Sequence, residues 1–127
     1  MINGLKTFAD RKGVLVPIEH KNIPFEVKRT FYVCGVPEGQ ERGMHAHYTT
    51  QQYLICAQGR IEVKLFDGKE TKHHMLEQHQ GIFVDAMVWD SQIFHTGNDI
   101  LVALCSTEYD LSDYILDIEE FKKKVIK

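Results

Sequence analysis

The 127 residues hold only three cysteines, Cys34, Cys56 and Cys105. An odd count with no C-x-x-C spacing excludes a disulfide framework and a zinc knuckle. Their apolar neighbours make buried, reduced thiols the expectation. No run approaches the ~18 apolar residues of a membrane helix. The start, Met1-Ile2-Asn3-Gly4-Leu5-Lys6, lacks the basic-then-apolar layout of a secretory signal. A cytoplasmic protein with no membrane partner is expected. Nor is there an excess of positive charge: 15 Lys and Arg against 18 Asp and Glu leave a formal charge of −3, which offers no field for gripping a phosphate backbone, so nucleic acid is not expected as a partner. Internal repeats, low-complexity segments and linkers are absent too. What remains is one domain, residues 1–127, whose 43% hydrophobic content suffices for a core without covalent staples.

Short alternating runs separated by turn signals argue for an all-β sandwich or barrel. Val14 to Glu19 is a first run, and Pro17 makes it an edge or irregular strand. From Phe25 to Cys34, Phe25, Val27, Arg29, Phe31 and Val33 share one face, and Glu26, Lys28, Thr30, Tyr32 and Cys34 share the other. Gln52 to Ala57 and Arg60 to Phe66 follow, then a hairpin signal at Asp67-Gly68 and a partner strand from Glu70 to Glu77. Further strands are expected at Ile82 to Asp85, around Val88 to His95, and over the nearly continuous apolar run Ile100 to Thr107. Phe31, Phe66, Phe83 and Phe94 are expected in the core. Asp117, with Glu120 three residues on, signals the start of a short C-terminal helix, and Lys122, Lys123 and Lys124 suit the negative end of its dipole.

His45 and His47, two apart on a strand, project from one face. Arg42 and Gly43 stand just before them, and Tyr48, Gln51, Gln52 and Tyr53 just after, a density of polar groups that few cores tolerate. A metal site needs three or more suitable ligands, and Gln51 or Gln52 is a poor replacement for a carboxylate. His95 is a single residue near a strand end, and the adjacent His73 and His74 face opposite ways. No metal and no cofactor is therefore expected. Without one, a neutral imidazole pair can take a proton and return it near neutral pH. Arg42 offers a fixed cation for an oxyanion or a phosphate, and Tyr32 a hydroxyl for orientation or relay. This set suits enolisation: removal of a proton next to a carbonyl, stabilisation of an enediolate, and return of the proton one carbon away.

Gly43-x-His45-x-His47, followed by Gln51 or Gln52 and by Gly59, resembles the first motif of the cupins, which are double-stranded β-helix (jelly-roll) proteins. More specifically, three stretches are similar to the dTDP-4-keto-6-deoxyhexose 3,4-ketoisomerases. These are Lys12 to Glu19, Asn22 to Phe25 with Lys28 to Tyr32, and above all Arg42-Gly43-Met44-His45-Ala46-His47. The resemblance implies a metal-independent sugar-nucleotide isomerase that moves a keto group from C4 to C3 of a dTDP-sugar, upstream of a pyridoxal-phosphate aminotransferase that makes a 3-amino sugar. It also implies a homodimer of cupin subunits with exchanged N-terminal strands. The family's catalytic positions fall on His45, His47, Tyr32 and Arg42. Arg29, Gln52, Trp89 and Asp90 complete the candidate site as substrate-binding residues, with Trp89 or Tyr53 free to stack on a base or sugar. Asp90 stands where related sequences carry a histidine. Alternatives are a 3,5-epimerase on the same type of substrate, a metal-dependent oxygenase and a non-enzymatic sugar-binding cupin.

Overall fold

The computed structural model describes residues 1–126. Along the chain run β1 (Ile2–Gly4), β2 (Phe8–Asp10), β3 (Gly13–Leu15), β4 (Arg29–Cys34), β5 (Glu41–His47) and β6 (Gln52–Gln58). They are followed by β7 (Ile61–Phe66), β8 (Thr71–Leu76), β9 (Gln80–Val84), β10 (Trp89–Phe94), β11 (Ile100–Cys105), β12 (Tyr114–Ile115) and the helix α1 (Ile118–Val125). One five-stranded sheet has the order β1-β9-β6-β11-β4 and the other β12-β5-β10-β7-β8, with β2 and β3 forming a separate hairpin. The two sheets close on each other as a jelly roll. No helix among the described residues is long and apolar enough to cross a membrane.

The alternating runs decide what lies between the sheets. Leu54, Cys56, Leu101 and Ala103 from the first sheet meet Ile61, Val63, Leu76 and Phe94 from the second in one buried cluster. A fully buried side chain of this size stabilises the fold by about 1.5–3 kcal/mol, so this end of the roll is a firm base. On the outer side of the first sheet, Tyr53, Ile55 and Leu104 gather Phe25, Val27 and Phe83 around them. On the outer side of the second, Trp89, Ala46 and Ile115 lie under Phe121 of α1. Asp117 caps that helix by accepting the Glu119 N–H at 3.0 Å, and Lys122, Lys123 and Lys124 fill its last turn, as expected.

Some local readings change. The strand at Val14 stops at Leu15 and leaves Pro17 outside it, because proline lacks the N–H a ladder requires. The Asp67-Gly68 hairpin is real, but its loop has four residues, since Phe66 pairs with Thr71. The Asp67 carboxylate accepts the Lys69 and Glu70 N–H groups, an Asx-type bond that fixes the longer loop. Cys56 and Cys105 are buried, but Cys34 is exposed, because it falls on the outward phase of β4, which lies at the edge of its sheet.

Candidate active site

Where the apolar packing ends, the inner faces of both sheets turn polar. Arg29, Cys105 and Gln52 form one cross-strand row on β4, β11 and β6. Gln52 of this row, with His45, Asp90 and Gln92 from β5 and β10, lines a cavity of about 80 Å³ together with Arg42, Gly43, Phe31 and Leu54, while Arg29 and Cys105 stand outside its lining. Such a volume is far below the roughly 300–1,000 Å³ of an ordinary small-molecule pocket, so it suits the reacting end of a substrate and not a whole nucleotide.

Strict alternation would put Arg42 on the opposite side of β5 from His45, yet both line this cavity. A bulge resolves the conflict. Asp90 pairs with His45 and Ser91 with Gly43, so Met44 is an extra residue in β5. Gly43 and Met44 both have positive φ, 90° and 57°. A Cβ on Gly43 would stand 3.0 Å from Gln92 Oε1, 3.1 Å from Ser91 Cα and 3.2 Å from Asp90 O, so only glycine serves there. Gly43→Ala is expected to cost about 2 kcal/mol of stability and to reduce activity by displacing Asp90 and Gln92. Met44→Gly, at an exposed positive-φ position, is expected to be neutral or mildly stabilising. Thermal melts of the two proteins check both.

The two imidazoles meet edge to face, with ring centroids 4.9 Å apart. His47 is 2% exposed, and its Nε2 meets no hydrogen-bond partner among the described residues. Burial, reinforced by the neighbouring His45 and by Arg29 and opposed by Asp113, pulls the His47 pKa down to about 4. Burial also lowers that of His45, against a hydrogen bond to the Gly43 backbone. Both rings are thus neutral at neutral pH, the state in which a histidine accepts a proton. Asp90, 1% exposed, behaves oppositely: burial pushes its pKa up to about 7, although Gln92 Nε2 donates to its Oδ1 at 2.6 Å. One ligand atom each of His45, His47 and Asp90 lies within 4.8 Å of the others. No local pattern in the sequence places Asp90 in a ligand set, whereas the fold brings this carboxylate to the histidines, a donor combination able to take a divalent cation.

Arg29 stands beside this group with Nε and Nη2 buried and without a partner among the described residues. Its guanidinium lies 5.7 Å from the ring centroids of both Phe31 and Tyr109, a cation–π setting that holds the charge in place. Unused guanidinium donors in a half-buried site are positioned for an anion or a developing oxyanion.

Two expected site residues lie elsewhere. Tyr32 is on the outer face of β4, 71% exposed, because it is the odd-phase neighbour of Phe31, which points inward. Trp89 packs under α1, 5.8 Å from the Phe121 ring, because it adjoins Asp90 on β10 and adjacent strand residues face opposite ways. The tyrosine actually beside the histidines is Tyr114, with ring centroids 4.4 Å from His47 and 5.2 Å from His45. β12 pairs with the end of β5 and sets Tyr114 directly opposite His47. The preceding residue secures that pairing: the Asp113 carboxylate accepts the N–H and hydroxyl of both Thr49 and Thr50. No local signal marks Tyr114, which arrives by a contact distant in sequence. Gln92, two residues beyond Asp90, was within reach of the same period-two argument that pairs the histidines.

Comparison with known proteins places the chain in a family. The family described as FdtA: WxcM-like, C-terminal, matches residues 1–126. A TDP-4-oxo-6-deoxy-alpha-D-glucose-3,4-oxoisomerase from Aneurinibacillus thermoaerophilus is 36% identical over 124 residues, covering 96% of this chain and 89% of that protein. QdtA, a sugar 3,4-ketoisomerase from Thermoanaerobacterium thermosaccharolyticum solved in complex with TDP, superposes with a TM-score of 0.91 at 31% identity, over 98% of this chain and 93% of its own. A 3,4-ketoisomerase from Helicobacter canadensis gives a TM-score of 0.92 at 32% identity, over 98% and 96% of the two chains. Sequence and fold agree along nearly the whole length, and the chain belongs to the FdtA family of sugar 3,4-ketoisomerases.

Proposed function

We propose that this protein converts dTDP-4-keto-6-deoxy-D-glucose to a dTDP-3-keto-6-deoxyhexose. The observation that carries the reading is the pair of neutral imidazoles, His47 buried and His45 half-buried, beside unpaired guanidinium donors, in a chain 36% identical to an oxoisomerase of that substrate type. The C3–H bond breaks and its proton goes to a histidine, while the electron pair enters an enediolate spread over O3 and O4. The hydroxyl proton of O3 passes to O4, and the histidine's proton returns at C4. C3 ends oxidised and C4 reduced, so no outside oxidant or reductant takes part. Arg29, and Arg42 at the cavity wall, hold the developing negative charge. Gln52, 3% exposed and lining the same cavity, hydrogen-bonds the sugar. Tyr114 lies over both rings and limits their freedom to turn. The proton chemistry calls for no metal and no cofactor.

The reading includes one cupin domain over the whole chain and a homodimer with exchanged N-terminal strands. In support of the dimer, Phe8, Val14 and Leu15 of the β2–β3 hairpin are exposed. Near them a cavity of about 750 Å³ opens on the outer side of the first sheet, lined by the N-terminal segment with Tyr53 and Phe83. Free cysteines and a nucleotide-sugar substrate fit the cytoplasm. A 3-keto product is the substrate required by a pyridoxal-phosphate aminotransferase that makes a 3-amino sugar.

Proton NMR of the protein incubated with dTDP-4-keto-6-deoxyglucose in D₂O, with a chelator present, tests the reaction. The carbonyl is expected to move to C3, and deuterium to appear at C4 to the extent that the proton held by the histidine exchanges with solvent before it returns. Deuterium at C3 or C5 with the carbonyl still at C4 identifies an epimerase. Activity abolished by the chelator identifies a metal enzyme.

A further inference from the structure

Asp90 is an anomaly within the site just described. Its Oδ1 is held by Gln92, but its Oδ2 is buried and meets no partner among the described residues. A buried carboxyl oxygen left without a donor is unfavourable, and one that persists points to a state in which a donor is present. The elements packed around Asp90 narrow the choice of donor. β7 places Leu65 opposite it, β6 offers the neutral Gln52, and β5 offers His45 directly opposite, with His47 and Arg42 beyond. Neither Arg42 nor Arg29 forms an ion pair with it among the described residues. The histidine ring nitrogens, by contrast, come within 4.8 Å, and His47 Nε2 is itself without a partner.

We infer that Asp90 is a positioning residue for the proton transfer: its free Oδ2 receives a ring N–H of the histidine pair when that pair holds the proton taken from the substrate. The inference rests on the isomerase reading. Asp90 forms no bond to the sugar. It accepts a hydrogen bond from the imidazolium, balances its charge against the enediolate, and keeps the ring aimed until the proton leaves for the neighbouring carbon. A neutral side chain of the same shape keeps the Gln92 bond and cannot balance that charge.

The test is Asp90→Asn in the full-length protein, assayed with dTDP-4-keto-6-deoxyglucose carrying hydrogen or deuterium at C3. The expected result is a fall in kcat of about a hundredfold, about 2.7 kcal/mol of barrier. KM and dTDP affinity stay within threefold, and the C3 isotope effect rises because proton removal now limits the rate. If the asparagine protein does not fold, Gln92→Met removes the bond that orients the carboxyl, and about a tenfold loss of kcat with a raised isotope effect is expected. An Asp90→Asn enzyme with kcat within threefold of wild type overturns the inference. A fall in kcat with an unchanged isotope effect and weakened dTDP binding also overturns it, since Asp90 would then only support the fold, and the isomerase reading would stand. Wild-type protein that leaves the keto sugar unchanged overturns both.

Discussion

His47→Asn is expected to lower turnover by roughly a thousandfold, the scale on which a positioned general base contributes, while the protein stays folded and still binds dTDP. Asparagine keeps a polar group of similar reach opposite Tyr114 but has no basic nitrogen. His45→Asn is expected to lose a similar factor, because the rings pack edge to face and each holds the other in place. The double variant should therefore be little worse than the poorer single one, as for residues that act as a unit. Keto migration and deuterium uptake, followed by NMR in all three proteins, give the measurement. Near-normal turnover of His47→Asn would sink its assignment as a base, and additive losses would show two independent roles.

Asp90→Asn is expected to make the protein more stable at pH 8 while it loses activity. In the unfolded chain Asp90 releases its proton near 3.8, whereas in the folded protein burial keeps it on to about 7. Between those values the unfolded chain binds fewer protons than the folded one, so stability falls as pH rises. A shift of that size removes up to about 4 kcal/mol by pH 8, which asparagine restores, raising Tm by on the order of 10 °C. His47 acts with the opposite sign. Its folded pKa of about 4 lies below the unfolded 6.5, so its cost appears as pH falls through that window and reaches about 3 kcal/mol at the acid end. In the wild type these two contributions offset each other between pH 4 and 6.5. In Asp90→Asn the His47 slope remains, and stability climbs with pH to a higher plateau. Melting curves from pH 4 to 8 measure this, and a difference in Tm that does not change with pH would show Asp90 ionised and paired in the resting protein. Stability held below its maximum for the sake of a site is a common trade.

Much of the roll is legible in the amino-acid sequence. Period-two runs in β7 and β11, the loop at Asp67-Gly68 and the cap at Asp117 each reflect local physics: side chains on a strand alternate, turn residues accept unusual backbone angles, and a carboxylate satisfies the free N–H groups of a helix start. The histidine pair was legible for the same reason, since two residues two apart on a strand share a face wherever the strand ends up. Arg29 and Gln52 also follow from alternation.

Alternation misleads where the ladder is interrupted, and it says nothing of what arrives from elsewhere in the chain. Whether Arg42 shares a side with His45 depends on the bulge at Gly43 and Met44, which exists because β5 must match β10 while curving around the core. The family resemblance and its hydroxyl point to Tyr32, and the indole ring to Trp89, yet each yields the cavity to the neighbour holding the inward phase, Phe31 and Asp90. Tyr114 entered through the pairing of β12 with β5 and the grip of Asp113 on Thr49 and Thr50, contacts that only the closed roll can make. By itself the amino-acid sequence determined the strands, the turns and the two histidines, because those follow from neighbours along the chain. Only the tertiary structure decided that a buried carboxyl, a guanidinium and a tyrosine surround them, because burial and long-range pairing are properties of the closed fold.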